Sequence, residues 1–196
     1  MMSVQRQAKL PEILNVPQFS DMATNPFLET LSFTVIEVED PRFEIHELQP
    51  DGHRALFAKT NFRMGEAVHA FGASQTMTQP DRYTVQTAAA ERHIILDPEF
   101  LLYINHHCRP NCFFDLRTMQ LRAVAPIHQG DELTFFYPST EWAMSEAFKC
   151  HCGSAHCHGR IQGAAYLDDE TLKSYDLSDH IKDLLWLRKL EARKIS

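Results

Sequence analysis

Long apolar segments are missing from this sequence. Among its 196 residues, no apolar run approaches the ~20 residues that a membrane-spanning helix needs, and the segment Met1 to Pro17 lacks the apolar centre of a signal peptide. We therefore expect no membrane segment and an intracellular protein, located in the nucleus or the cytoplasm. Because thiols stay reduced in these compartments, the five cysteines indicate metal binding rather than disulfides.

Positive charge is also scarce. The chain has 19 Lys and Arg residues against 26 Asp and Glu residues, which gives a formal net charge of -7. Because nucleic-acid binding relies on clustered Lys and Arg, we expect no direct contact with nucleic acid. The negative net charge favours association with a positively charged partner. The hydrophobic content of 44% excludes a chain that is disordered throughout.

Long helical patterns are absent from the first 160 or so residues, where short β-like runs alternate with turn-prone Pro, Asp, Gly and Asn. The segment Met1 to Leu28 has no sustained periodicity and is interpreted as an arm or strap. Many short strands with few helices predict a β-rich α+β fold. The predicted strands are Leu31 to Val38, Phe43 to Leu48, Ala55 to Ala58, Ala67 to Phe71, Tyr83 to Thr87, His93 to Leu96, Cys112 to Leu116 and Met119 to Ala125.

The C-terminal segment has a different pattern. Between Asp168 and Lys194, apolar residues recur at helical spacing, and Lys and Arg gather toward the end, where they suit the helix dipole. We expect a helical segment that packs onto the domain, in preference to one that binds a partner. The residues of this apolar stripe are Leu177, Ile181, Leu184, Leu185 and Leu190.

Three cysteines form a C-x-C-x4-C cluster, namely Cys150, Cys152 and Cys157. Zn²⁺ in a structural site takes four ligands in a tetrahedron, with Zn–S distances of about 2.3 Å, so a fourth ligand is required. Spacing alone does not choose among the remaining candidates, which are Cys108, Cys112, His151, His156 and His158.

Three motifs together carry a family resemblance. Tyr103–Asn111 reads Y-I-N-H-H-C-R-P-N, Gly130–Tyr137 reads G-D-E-L-T-F-F-Y, and Phe148–Ile161 contains the cysteine cluster. In order and separation they resemble the N-H-S-C, E-L-T-x-x-Y and post-SET signatures of SET domains, over roughly Phe43 to Gly163. The resemblance implies a SET-domain fold of short β-sheets with a knot-like C-terminal crossing. Together with the patterns at the two ends, it predicts a division into an arm (1–40), a SET domain (41–140), a zinc-binding post-SET segment (141–163) and a C-terminal helical extension (164–196).

The same resemblance implies an activity, namely an S-adenosyl-L-methionine-dependent lysine N-methyltransferase acting on a histone or another protein. In this family the methyl donor and the lysine meet in a narrow channel, which holds the reacting atoms in line. The family's glycine-rich donor loop falls where this chain has His53-Arg54-Ala55-Leu56, and both glycines are replaced. The residues expected to contact the donor are Arg54, Ala55, Leu56, Asn105, His106 and, against the adenine, Phe148.

The family's catalytic tyrosine maps to Tyr137, and Phe135 and Phe136 are expected to form apolar walls of the substrate channel. Phe135 occupies the position that influences methylation state, and a Phe there favours more than one methyl group. No residue can be identified from the sequence as a general base for the reaction. The resemblance also selects Cys108 over Cys112 as the fourth zinc ligand, which leaves Cys112 as a core cysteine.

Some residues depart from the family pattern. His107 stands where Ser is usual and Phe136 where Asp is usual, and the span from Phe71 to His93 is too short for a large substrate-selecting insert. The sequence therefore does not name the substrate. Two alternatives to a protein-lysine methyltransferase stay open, namely a catalytically weak SET-like binding module and a SET fold redirected to a small molecule.

Overall fold

The computed structural model describes residues 32–89 and 92–195. The arm predicted for Met1 to Leu28 lies outside the described residues. In the part that is described, small β-sheets make up most of the regular structure, and helices occur only near the C-terminus apart from short 3-10 turns. This arrangement is the β-rich α+β fold expected from the sequence.

The strands are β1 (Ser32–Glu37), β2 (Phe43–Gln49), β3 (His53–Ala58), β4 (Ala67–Ala70), β5 (Gly72–Met77), β6 (Thr84–Ala88), β7 (Arg92–Asp97), β8 (Asn105–His106), β9 (Cys112–Asp115), β10 (Gln120–Ala123), β11 (Thr134–Phe135), β12 (Phe148–Lys149) and β13 (Arg160–Ile161). The helices are α1 (Asp169–Leu172) and α2 (Asp179–Ile195). No helix in these described ranges is long and apolar enough to cross a membrane.

All eight strands predicted from the sequence are confirmed, with ends that differ by a few residues. The strands that were not predicted are β5 and the two-residue strands. β5 has the sequence G-A-S-Q-T-M and its middle residues are exposed, so it shows no apolar alternation. The two-residue strands are too short to carry a pattern, and only tertiary pairing defines them.

Sheet pairing brings distant motifs together. The largest sheet has the strand order β4-β10-β9-β11-β8. In it, β11 runs parallel to β8, with Thr134 opposite Asn105 and Phe135 opposite His106. The segment before Tyr137 therefore lies directly beside the Asn105–His106 pair. The other sheets of the described residues are two three-stranded sheets, β1-β2-β3 and β5-β7-β6, and the two-stranded sheet β12-β13.

One apolar core joins these sheets. Phe43 is fully buried and its ring lies 5.8 Å from that of Phe62 and 5.6 Å from that of Phe100. Cys112 belongs to the same core with 1% of its surface exposed, which confirms the expectation of a core cysteine. Burial also raises the pKa of its thiol far above the ordinary value, so this sulfur stays protonated.

The C-terminal extension packs onto the domain, as its apolar stripe predicts. Leu177, Ile181 and Leu185 are buried in a second cluster that includes Phe136. The side chain of Asp168 caps α1 by accepting a hydrogen bond from the Thr171 N–H. The extension therefore reaches a residue adjacent to Tyr137.

Candidate active site and metal centre

A cavity of about 450 Å³ lies where the three motifs meet. Its apolar lining includes Val85, Leu101, Ile104 and Phe135. Its polar lining includes side chains from β8, from the turn before β6 and from the segment that follows β11. The sequence-predicted residues that the cavity brings together are Asn105, His106, Phe135, Tyr137 and Phe148.

Asn105 is fixed at the cavity wall by its side-chain amide. The Nδ2 group donates to the backbone carbonyl of Arg54 and to Oε1 of Glu132, each at 3.0 Å. Burial raises the pKa of Glu132 to about 7, although the hydrogen bond from Asn105 acts in the opposite direction. These bonds lock the orientation of Asn105 and join β3, β8 and the segment before β11.

His106 is an uncharged, buried ring at the same wall. Burial, reinforced by the nearby His107 and His158, lowers its pKa to about 3. Its Nδ1 atom accepts a hydrogen bond from the Tyr137 N–H at 3.2 Å. Its ring also meets those of Tyr137 and Phe148 edge-on, at centroid distances of 5.2 and 5.6 Å. His106 therefore positions both aromatic residues.

Tyr137 presents its hydroxyl inside the cavity region. The hydroxyl donates to the backbone carbonyl of Ile104 at 3.4 Å, and the ring lies 4.6 Å from that of Phe135. Burial, and then the charge of Glu132, raises the pKa of Tyr137 well above the ordinary value. The hydroxyl is therefore a proton-bearing hydrogen-bond donor, and the oxygen can accept from an amine or a polarised methyl group.

Other predicted site residues lie elsewhere. Ala55 and Leu56 are fully buried in or beside the core, and Arg54 pairs with Glu47 at 2.6 Å. The cavity lining includes their neighbour His53 and none of these three side chains. Their contact with the donor stays a prediction.

Phe136 is also outside the cavity lining. Its ring is 1% exposed and packs against the C-terminal extension. Its predicted role as a channel wall therefore has no support from this placement, whereas Phe135 does line the cavity.

Sequence reasoning missed several cavity residues, among them Arg82, Tyr83 and Glu141. Arg82 and Tyr83 belong to the turn before β6, and no local pattern distinguishes them from other exposed turn residues. Glu141 follows Tyr137 by four residues, and only the structure shows that its N–H donates to the Tyr137 carbonyl at 3.0 Å and that it lines the cavity.

Four cysteines converge beside the cavity. The Sγ atoms of Cys108, Cys150, Cys152 and Cys157 all lie within 4.8 Å of one another, and this group could hold a metal ion. A tetrahedral zinc site with Zn–S bonds of about 2.3 Å requires sulfur separations of roughly 3.8 Å. The Cys108 and Cys150 sulfurs are 3.9 Å apart, so the residues fit such an ion.

Backbone N–H groups support these sulfurs. The N–H of His158 points to Cys108 Sγ and that of Gly159 to Cys157 Sγ, both at 3.4 Å. Such donors stabilise thiolate charge. The β12–β13 hairpin supplies the geometry by bringing Cys150 back beside Gly159, whose carbonyl accepts from the Cys150 N–H at 2.6 Å.

Comparison with known proteins agrees with this fold and site. The SET domain family matches residues 27–138, more than half of the chain. The chain therefore belongs to the SET-domain family.

Relatives within this family differ in what their names specify. Methyltransferase flvH of Aspergillus flavus is 48% identical over 87 residues, which is 43% of this chain and 49% of that protein. The histone-lysine N-methyltransferase SETD2 of Homo sapiens is 40% identical over 67 residues, 31% of this chain and 3% of its own length. The histone-lysine N-methyltransferase ASHH2 of Arabidopsis thaliana is 33% identical over 78 residues, 37% of this chain and 4% of its own length. The match covers about half of flvH and only a small part of the two histone-lysine enzymes.

Proposed function

We propose that this protein is an S-adenosyl-L-methionine-dependent N-methyltransferase that acts on the side-chain amine of a lysine in a protein, with a histone as the first substrate to test. The observation that carries the proposal is the parallel pairing of β8 and β11, which places Asn105, His106 and Tyr137 at one cavity. Membership of the SET-domain family supports methyl transfer as the reaction.

We assign donor binding to the polar and aromatic residues of the cavity lining. S-adenosyl-L-methionine, when bound, supplies an electrophilic methyl group on a sulfonium. Asn105 and His106 would hold it through their backbone and side-chain groups, and Phe148 offers a partly buried ring for the adenine. Arg82 lines the same cavity and gives a cation for the carboxylate of the donor.

The amine side is assigned to the apolar part of the cavity around Tyr137. A lysine chain entering between Val85, Ile104 and Phe135 would be stripped of water, which favours the neutral, nucleophilic amine. The Tyr137 hydroxyl and the Ile104 carbonyl, already hydrogen-bonded to each other, supply polar groups that orient the amine nitrogen.

The four-cysteine cluster is proposed to be a structural Zn²⁺ site, because four sulfur ligands leave no open position for a reacting group. Cys108 follows the Asn105–His106 pair by two residues, and Cys150 follows Phe148 by two. A zinc ion would therefore clamp the Phe148 segment against β8. Loss of the metal is expected to disorganise the donor side of the cavity.

A second candidate function is methylation of a small amine, which uses the same site. It is favoured by the similarity to flvH, whose name specifies a methyltransferase and no histone. The third candidate is a SET-like binding module that has lost turnover, and it is favoured by the replacement of both donor-loop glycines.

Calorimetric titration of the zinc-loaded protein with S-adenosyl-L-methionine tests the proposal. Wild type should bind one equivalent, and Phe148→Ala should bind about tenfold more weakly, because a ring–adenine contact is lost. Phe33→Ala is the matched control, since Phe33 is half exposed on β1 and does not line the cavity. Absence of donor binding by the wild type would leave only the binding module.

Transfer of a labelled methyl group separates the two enzyme functions. Core histones and Nα-acetyl-lysine are supplied in parallel reactions. Labelling of histone lysines at low micromolar substrate, with no labelling of the free amine, supports the protein-lysine function. The reverse pattern supports the small-amine function.

A further inference from the structure

A buried carboxylate that has no role in the site described above lines the same cavity. Glu141 is 7% exposed and lies one turn beyond Tyr137. Its Oε1 atom accepts hydrogen bonds from the Gln86 N–H at 2.7 Å and from the Thr140 hydroxyl at 3.2 Å. Its Oε2 atom lies 3.9 Å from Nδ1 of His93, a separation too long for a hydrogen bond.

The surroundings of Glu141 leave its charge poorly compensated from within the protein. Burying a carboxylate is costly unless a cation or several hydrogen bonds accompany it. Within residues 32–89 and 92–195, the one cationisable side chain at ion-pair distance from its oxygens is His93, at 3.9 Å, and both hydrogen bonds fall on Oε1. The cavity is the side from which a mobile cation can reach this group.

We propose that Glu141 pairs with the substrate ammonium in the cavity and accepts its proton before methyl transfer. This inference rests on the proposed N-methyltransferase function and adds the general base that the sequence did not reveal. One N–H bond of the ammonium breaks and its proton forms an O–H bond on Glu141. The freed nitrogen lone pair then forms the N–C bond as the methyl–sulfur bond of the sulfonium donor breaks, and that electron pair stays on sulfur.

The acidity of Glu141 suits this task. Burial raises its pKa to about 7, although the hydrogen bonds from Gln86 and Thr140 act in the opposite direction. A lysine-type ammonium in water has a pKa of about 10.4, so it arrives at the cavity protonated at neutral pH and its proton needs an acceptor there. A base with a pKa near the working pH is the most effective one.

Other titratable groups face this region from each neighbouring element. His93 of β7 faces Glu141 directly, and His180 of α2 contacts the carbonyl of Thr140 at 2.7 Å. The charges of Arg82 and Glu132, together with that of Glu141 itself, act on the Tyr137 hydroxyl. A pH profile must therefore be measured against a variant that changes Glu141 alone.

A purely structural role for Glu141 is the alternative. The Gln86 side chain accepts from the Trp142 N–H at 2.8 Å, so Gln86 and Glu141 tie β6 to the segment after Tyr137. Glu141→Gln separates the two roles. Its amide oxygen can still accept from the Gln86 N–H, while the variant has neither the negative charge nor the proton-accepting oxygen.

The first test is the pH dependence of kcat/KM, measured with whichever of core histones or Nα-acetyl-lysine the wild type methylates. The wild type should rise through an inflection near pH 7. Glu141→Gln should lack that inflection and be about 100-fold slower at pH 7. Its deficit should shrink toward pH 10, where the substrate loses its proton unaided. Glu191→Gln, an exposed glutamate on α2, should match the wild type.

The second test needs no turnover and uses n-butylammonium as a mimic of the lysine side-chain end. With S-adenosylhomocysteine present at pH 8, wild type should bind the amine about tenfold more tightly than Glu141→Gln. Equal binding by both proteins, or a variant that is slower by the same factor at every pH, would overturn the inference. Tighter amine binding by wild type than by Glu141→Gln, in a wild type that methylates neither substrate, would uphold the pairing of Glu141 with an ammonium and defeat the proposed function.

Discussion

The ring of Tyr175 is stacked on the ring of Phe136, with centroids 3.7 Å apart and planes inclined by 7°. The Tyr175 hydroxyl donates to the backbone carbonyl of Cys108 at 2.7 Å and lies 2.8 Å from His158 Nε2. Burial raises its pKa to about 12, so the hydroxyl keeps its proton. One residue of the C-terminal extension therefore contacts both the cysteine cluster and the residue next to Tyr137.

Removal of the Tyr175 hydroxyl should loosen the metal centre. Tyr175→Phe keeps the stacked ring and loses the bond to Cys108, which should cost about 1 kcal/mol of stability and speed metal release to a chelator. Tyr175→Leu also loses the stacking and should cost about 1 kcal/mol more. Thermal unfolding and chelator competition measure these effects, with exposed Tyr166→Phe as the control. Unchanged metal release in Tyr175→Phe would show that its hydroxyl does not support the cluster.

Substitution of a proposed metal ligand should affect zinc content, whereas substitution of the core cysteine should not. Wild type should contain about one zinc per chain, and Cys108→Ser should lower that content and destabilise the segment around Phe148. Cys112→Ser should keep the metal, because its sulfur is buried in the apolar core. Elemental analysis of the folded proteins measures this. Loss of zinc from Cys112→Ser alone would mean that the ligand set is wrong.

The number of methyl groups added to the amine should depend on Phe135. This ring lines the cavity 4.6 Å from Tyr137 and has no hydroxyl to hold a water or restrain a partly methylated amine. Wild type should therefore pass beyond the monomethyl product, and Phe135→Tyr should shift products toward it while the first transfer continues. Mass spectrometry of the product gives the answer, and exclusive monomethylation by the wild type would refute the role of Phe135.

Stability should fall as Glu141 ionises. Its pKa of about 7 in the folded protein exceeds the ordinary value of 4.5, so the folded state holds the proton more tightly than the unfolded state. The resulting stability is fully present below pH 4.5 and is lost as the pH rises through 7, by on the order of 3 kcal/mol. Urea unfolding of Glu141→Gln should show a weaker decline between pH 5 and pH 8 than wild type. If the stabilities of wild type and Glu141→Gln depended on pH in the same way, Glu141 would not be a buried carboxylate with a raised pKa.

The sequence predicted the candidate site best where its residues lie close together in one short motif. Asn105–His106, Tyr137 and Cys150–Cys152 each sit in a short motif, and the structure brings them to one cavity and one cluster. Local patterns carried no information on contacts between distant segments. Glu141 accepts a hydrogen bond from Gln86, which is 55 positions earlier in the chain. Phe136 packs against the C-terminal extension. The sequence predicted the apolar stripe of that extension but not the residues that the stripe contacts.

Methyl transfer by wild type and by Tyr137→Phe tests the central claim most directly. Zinc-loaded protein receives S-adenosyl-L-methionine with a labelled methyl group, together with core histones or Nα-acetyl-lysine. Wild type should label the amine. Tyr137→Phe should be about 100-fold slower with unchanged donor affinity, because a hydroxyl that orients the amine is lost. Donor-bound wild type that labels neither amine, or a Tyr137→Phe protein that works at the wild-type rate, would contradict this account.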